Sequence, residues 1–243
     1  GDLWVMPIDG RPQRLTDDPF VEMDPAWSRD GARLAFSSDR AGTMDLWVRD
    51  IGSGLERQLT DLPTAETAAA WSPNGQRIAF KDNTGAFHTV TVEVGNVAPA
   101  HDPLSHSGYP TWGPAGRVLA TTVLQPYSSR YREGTSQILF FSMNREEPDR
   151  MLVPAIHRSV GKRETDGPVW SPDGTMMAFV MDGALHVLPV GPSGESLGPP
   201  RRVTSDVAES PSWTGDSARL LYQTSDRFKL VSVEDGGVRD IPV

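Results

Sequence analysis

The stretch AWSRDGARLAFSSD, residues 26–39, joins a tryptophan, a polar tight turn and an alternating apolar run. It returns as AWSPNGQRIAFKDN at residues 70–83. Drifted copies centre on Trp112, Trp170 and Trp213, so five tryptophans, with Trp27 and Trp71, set a register with steps of 44, 41, 58 and 43 residues. A period of roughly 40 to 50 residues is the length of a four-stranded sheet used as a repeating unit.

Each unit has the same chemistry. The Trp is followed by Ser-Arg-Asp-Gly (28–31), Ser-Pro-Asn-Gly (72–75), Gly-Pro-Ala-Gly (113–116), Ser-Pro-Asp-Gly (171–174) or the eroded Thr-Gly-Asp-Ser (214–217). Pro presets φ, Asp or Asn tolerates the next corner, and Gly accepts positive φ, so the segment turns a hairpin. An apolar second strand follows, as in Leu34-Ala35-Phe36, Ile78-Ala79-Phe80 and Met177-Ala178-Phe179, with a small residue where sheets approach. Third strands are predicted at 45–48, 87–92, 138–143, 184–190 and 228–233. Fourth strands follow at 56–60, 201–204 and 239–243, and a poorly marked one lies around 98–104.

The N-terminal residues sharpen this. Leu3-Trp4-Val5 and Gln13-Arg14-Leu15-Thr16 match Leu46-Trp47-Val48 and Gln58-Leu59-Thr60, so the chain opens on strands three and four of a blade. The expectation is an all-β, six-bladed-type β-propeller of four-stranded blades, incomplete, with five full blades and the outer two strands of a first one. It is read as a single domain, 1–243, with the outer strands in 1–20 and blades at 21–65, 66–105, 106–160, 161–207 and 208–243. The absent hairpin is expected just upstream in a parent protein, and the edges it leaves open would offer a route to a strand-exchanged dimer. Every repeated indole is expected to be buried in blade packing, its removal costing about 3 to 5 kcal/mol.

Composition agrees. With 23 Gly and 21 Pro, many short strands and tight turns are favoured. No run of 18 apolar residues occurs, so membrane insertion is not expected. The 23 Lys and Arg against 32 Asp and Glu leave a net charge of −9, which repels nucleic acid. The chain has no Cys, which excludes disulfides, thiol catalysis and thiolate metal sites. It opens at Gly1-Asp2-Leu3-Trp4 without an initiator Met or a charged leader, which reads as a trimmed piece.

Trp170-Ser171-Pro172-Asp173-Gly174, with Ser38-Asp39-Arg40 and Asp45-Leu46-Trp47, resembles the TolB-like propeller repeat over essentially the whole chain. QPYSSRYREGTSQILFFS (125–142) and LVPAIHRSVGKRETDGPVWSPDGTMMAFVMDG (152–183) resemble, more narrowly, the propeller that precedes an amidohydrolase domain in a group of bacterial multidomain hydrolases. That resemblance implies a non-catalytic module that packs on and gates a metal-dependent hydrolase in the parent protein. A TolB-type protein capturing a peptide or protein at the channel mouth is the alternative, and the resemblance favours a periplasmic or secreted location. The His-x-His pair typical of such hydrolases is absent among His88, His101, His106, His157 and His186, so this chain alone is not expected to be an enzyme.

The residues themselves carry few chemical motifs. There is no Gly-x-Ser-x-Gly, His-Glu-x-x-His or phosphate-binding Gly-rich loop, and no cofactor or metal is expected. His101 and His106 lack ligand spacing. Two groups remain. The loops entering each first strand hold Glu22, Asp24, Glu66, His106, Tyr109, Glu164, Asp166 and Glu209, which would converge at a channel mouth and bind a cation or a basic peptide end, or simply solvate an acidic protein. The 58-residue step marks an insertion where Tyr127, Arg130, Tyr131 and Arg132 interleave, followed by His157-Arg158 and Lys162-Arg163. Tyr and Arg are enriched at interfaces, so this loop is read as a docking surface for a neighbouring domain, against the alternative of a long solvated loop.

Overall fold

A computed structural model describes residues 1–128, 131–143, 147–161 and 163–242; within the strands, the side chains of 128 and 131–133 are outside the description. Arg130 and Lys162 therefore lie outside the described residues, as do the side chains of Tyr131 and Arg132. The chain divides into two compact units, Gly1–Pro103 and Leu104–Val243.

The first unit opens with a two-stranded sheet of β1 (Trp4–Val5) and β2 (Gln13–Arg14). A four-stranded antiparallel sheet follows: β3 (Glu22–Trp27), β4 (Arg33–Ser38), β5 (Asp45–Asp50) and β6 (Glu56–Gln58). The next is β7 (Glu66–Trp71), β8 (Arg77–Asp82), β9 (Phe87–Thr91) and β10 (Val97–His101). Strand β10 is weakly marked in the sequence because Pro99 cannot donate to a ladder; as an edge strand it tolerates Pro, with a register shift between Pro99 and His101.

The second unit holds three more sheets. They are β11 (Thr111–Trp112), β12 (Val118–Ser128), β13 (Tyr131–Ser142) and β14 (Arg150–Leu152); β15 (Val169–Trp170), β16 (Met176–Met181), β17 (Ala184–Pro189) and β18 (Arg201–Arg202); and β19 (Glu209–Trp213), β20 (Arg219–Gln223), β21 (Phe228–Ser232) and β22 (Val238–Ile241). Each sheet is a meander whose neighbours in space are neighbours in sequence. Five such sheets and one outer pair are the blades of a β-propeller with a partial first blade.

The repeated turn works through its side chains. Ser28 Oγ accepts from Arg33 N at 2.9 Å and donates to Asp30 Oδ1 at 2.6 Å, while Gly31 turns the corner at φ 70°. Ser72/Asn74 and Ser171/Asp173 repeat the arrangement. In the eroded copy Ser217 takes the left-handed position at φ 60°, and its Oγ accepts from Asp173 N of the preceding turn at 3.0 Å.

Blades stack by their faces. Ala35, Leu46, Val48 and Leu59 of one sheet pack with Ile78, Phe80, Val90 and Val92 of the next. The small second-strand residues Ala35, Ala79, Ala120 and Ala178 have no exposed surface, as close face-to-face packing requires. The repeated indole ties neighbours together: Trp71 Nε1 donates to Ala26 O at 2.9 Å and Trp213 Nε1 to Val169 O at 3.0 Å. Trp112 and Trp170 are buried, and Trp71 and Trp213 half-buried. Trp27 departs from the expectation of uniform burial, being 46% exposed. The cause is local: the indoles of Trp71 and Trp213 close on the first strand of the preceding blade, and the sheet before Trp27 has only two outer strands.

Candidate functional site

Glu22, Glu66 and Glu209 were placed by sequence in entry loops; the structure makes each the first residue of a strand, β3, β7 and β19. The reason is a bulge two positions on from Glu22 and Glu66 and one position on from Glu209. Register shifts between Met23 and Ala26, Thr67 and Ala70, and Glu209 and Ser212, and a left-handed residue sits in each: Asp24 at φ 52°, Ala68 at 60° and Ser210 at 51°. A bulge keeps the preceding residue paired while bending the strand. Within the first unit the two bulges touch, Ala68 N donating to Asp24 Oδ2 at 3.1 Å; within the second, Ser210 Oγ donates to Thr165 Oγ1 in the loop ahead of β15 at 2.8 Å.

The carboxylates at these positions are largely buried and partnered. Glu22 is 7% exposed, accepts from Thr16 Oγ1 and pairs with Arg40. Arg40 also pairs with Glu56 and with Asp18 at 3.2 Å, and its guanidinium lies over Trp47, 4.8 Å from the ring centre. Burial pushes the Glu22 carboxyl above the usual range, against the opposing pull of Thr16 and Arg40.

Glu66 is fully buried and accepts from Thr60 Oγ1 at 3.1 Å and Thr64 Oγ1 at 3.0 Å. Burial pushes its carboxyl up to about 7, and the neighbouring Asp45 adds to the rise. Asp45 is itself fully buried, with Oδ2 held by Thr43 and Gln58 and Oδ1 without a hydrogen-bond partner. A neutral Glu66 beside it avoids burying two like charges.

In the second unit, Asp166 is 5% exposed and its carboxyl is pushed up by burial. It accepts from Arg163 N at 3.3 Å, and a Cβ at Gly161 would stand 2.6 Å from the Asp166 Cβ, closer than side chains pack, so the site calls for glycine. Glu209 pairs with Arg163. Tyr109 N donates to Glu164 O at 2.9 Å, joining those two through the backbone; the Glu164 side chain is exposed, as is His106 at φ 52°.

The threonines that bind these carboxylates were missed as site residues. Thr16 and Thr60 each accept from the backbone of the third strand in their own blade, at Leu3 N (2.8 Å) and Leu46 N (2.9 Å), and donate to the Glu six residues on. The signal was the repeated spacing Thr16/Glu22 and Thr60/Glu66. Thr204 keeps the first half, accepting from Leu185 N at 3.0 Å, but with Glu209 only five residues on it turns to Asp206 O instead.

The insertion is a paired ribbon. Strands β12 and β13 run in register from Val118↔Ser142 to Pro126↔Gly134, and meet again at Ser128↔Tyr131, well past the two residues of β11 and three of β14 that flank them. Its middle is pinned where Val160 N donates to Ser136 O at 3.0 Å, with Gly161 N donating onward to Val180 O at 2.7 Å. Near the tip Tyr127 is 71% exposed. His157 is exposed, whereas Arg158 is committed to Asp182 at 2.5 Å, so the structure draws one member of the basic patch into a surface ion pair.

Comparison with known proteins gives one fold from several directions. A TolB structure from Acinetobacter baumannii superposes with a TM-score of 0.75 at 18% identity, over 100% of this chain and 59% of that one. The TolB of Agrobacterium tumefaciens gives 0.73 at 17% identity, over 96% and 84%. An oligogalacturonate lyase in complex with manganese gives 0.64 at 13% identity, over 99% and 72%. In sequence, the Tol-Pal system protein TolB of Desulfosudis oleivorans is 40% identical over 48 residues, 19% of this chain and 11% of that protein. The chain thus spans a small part of its curated relative and under two thirds of the first TolB structure. The family model of the Tricorn protease N-terminal beta propeller domain matches residues 1–161. By that match, over most of its length, the chain belongs to the Tricorn N-terminal β-propeller family.

Proposed function

We propose that this chain is a non-catalytic interaction module, a TolB-like propeller that packs on and gates a metal-dependent hydrolase of the amidohydrolase type in its parent protein. The observation that carries the reading is the β12–β13 ribbon. A two-stranded ribbon is marginal in water on its own, and this one projects past its flanking strands with an exposed aromatic near the tip. A neighbouring domain would supply the missing surface. The carboxylates that sequence places at the channel mouth fit a structural part in this reading: Glu22 and Glu66 join the end of one blade to the start of the next.

Gating by such a module is steric and electrostatic, with an acidic body restricting what approaches. A periplasmic or secreted location accords with the resemblance to TolB. The second reading, a TolB-type protein capturing a peptide or protein at the channel mouth, draws support from the 40% match over 48 residues. The test is association of this chain with the separately produced hydrolase domain encoded beyond Val243. Tyr127→Ala should weaken it at least about tenfold. Unchanged affinity, or a reading frame without a hydrolase, counts against the proposal.

A further inference from the structure

Arg40 fills one corner of its sheet. Its guanidinium lies 4.8 Å from the ring centre of Trp47 and 5.3 Å from that of Phe36, pairs with Asp18 at 3.2 Å, and donates through Nε to Ser38 Oγ at 3.1 Å. Strand register carries these positions into the last sheet. Trp27 pairs with Leu34 as Trp213 pairs with Leu220, so Phe36, Ser38 and Arg40 correspond to Tyr222, Thr224 and Asp226. Phe36 pairs with Trp47, and Tyr222 with Lys229. Thr16 and Thr204 each accept from a third-strand N–H, so Asp18 and Asp206, two residues on, correspond as well.

In the last sheet this corner is open. A cavity of about 420 Å³ lies there, lined by Asp206, Glu209, Thr224, Asp226, Arg227 and Lys229 among others. Asp226, in the place of Arg40, is short, largely exposed and paired with Arg227 at 3.2 Å, so it does not fill the space an arginine takes. Where three other sheets set a ring opposite the second-strand Phe, at Trp47, His88 and His186, this one sets Lys229 opposite Tyr222. Glu22 has no acidic counterpart either. Ala208, whose N–H donates to Gly183 O as that of Glu22 does to Gly1 O, stands in its position and leaves more room.

Charge and hydrogen bonding indicate the occupant. Lys229 pairs with Asp206 at 2.6 Å, Arg227 pairs with both Asp226 and Asp240, and Glu209 pairs with Arg163. Four carboxylates thus meet three cations, and one negative charge is left over. Lys229 Nζ also stands 3.9 Å from Asp240, a second partner to which it can turn when Asp206 is taken. The Tyr222 hydroxyl is buried beside Asp206 without a hydrogen-bond partner, and its oxygen can accept from an N–H. Among the described residues no group of acids or imidazoles is placed to hold a metal ion, so an organic cation is the match.

We propose that this corner of β19–β22 binds the guanidinium of an arginine side chain from a peptide or protein segment, in the place that Arg40 fills in β3–β6. The guanidinium pairs with Asp206 and donates to Thr224 Oγ1 and the Tyr222 hydroxyl, as Arg40 pairs with Asp18 and donates to Ser38. This binding does not depend on what the β12–β13 ribbon contacts.

The test titrates the chain with N-acetyl-arginine amide, beside its uncharged isostere N-acetyl-citrulline amide, and follows backbone amide shifts by NMR. Saturable shifts at Asp206, Thr224 and Lys229 are expected with the arginine probe, and binding at least about tenfold weaker with citrulline or in Asp206→Asn. Asp226→Arg should fill the corner from within, as Arg40 does, and abolish the shifts in a chain whose spectrum stays dispersed. Equal binding of the two probes overturns the inference, as does an absence of saturable shifts or their appearance elsewhere on the chain. Undiminished binding to a folded Asp226→Arg chain overturns it too.

Discussion

Trp71 Nε1 lies 2.9 Å from the carbonyl oxygen of Ala26, so an indole of one blade closes on the first strand of the blade before it. The bond makes Trp71, like Trp213, a fastener between blades as well as core, whereas Trp170 is buried with its Nε1 unpartnered and Trp27 stands half-exposed. Trp71→Ala should cost about 3 to 5 kcal/mol in urea unfolding. Trp27→Ala, at a position 46% exposed, should cost less than about 2 kcal/mol. Equal costs would refute the fastener account.

Glu66 titrates in the direction opposite to that of most structural carboxylates. Its carboxyl moves from 4.5 unfolded to about 7 folded, because of burial first and Asp45 second. The folded chain therefore holds a proton that the unfolded chain releases. This group's contribution to stability is retained below about 4.5 and falls as pH rises to about 7, by roughly 3 kcal/mol. Glu66→Gln should flatten that window and raise stability at pH 8, its amide able to donate to the unpartnered Asp45 Oδ1. Unfolding curves at pH 5 and pH 8 check both; a variant weaker than the parent at pH 8 contradicts the account.

Arg40 holds Glu22, Glu56 and Asp18 together over the Trp47 ring. Arg40→Met removes the cation and leaves a carboxylate at Glu22 with almost no access to water. The expected loss is about 3 to 5 kcal/mol at neutral pH. It should shrink toward pH 4, where Glu22, already pushed up by burial, takes a proton. A loss independent of pH would mean that Arg40 acts by packing alone.

Gly31 has φ 70° and nothing within 4 Å of where a Cβ would stand. Gly31→Ala isolates the left-handed backbone cost, and a loss of about 1 to 2 kcal/mol is expected by thermal or chemical unfolding. A neutral result would show that the turn relaxes out of that conformation.

Much of this was legible in the residues. The Trp register and the Ser-x-Asp-Gly turns foretold the sheets, because a turn and an alternating strand are local matters. The exposure of Trp27 was not legible, since it depends on strands outside its own repeat. The burial of Glu22 and Glu66 was hidden for a related reason: an acidic residue after a Pro-containing loop looks solvated until a threonine six residues earlier is brought beside it. The 58-residue step announced an insertion, but only the pairing of Val118 through Pro126 with Gly134 through Ser142 shows that it is a ribbon.

Docking of the ribbon on a neighbouring hydrolase domain is tested most directly by hydrogen exchange of the backbone amide at Leu124, which antiparallel alternation turns away from β13 to the open edge of the ribbon. Slow exchange at Leu124 is expected in the intact parent protein and fast exchange in this chain alone. Equally fast exchange in both would leave the ribbon free in solution and rule out the docking role.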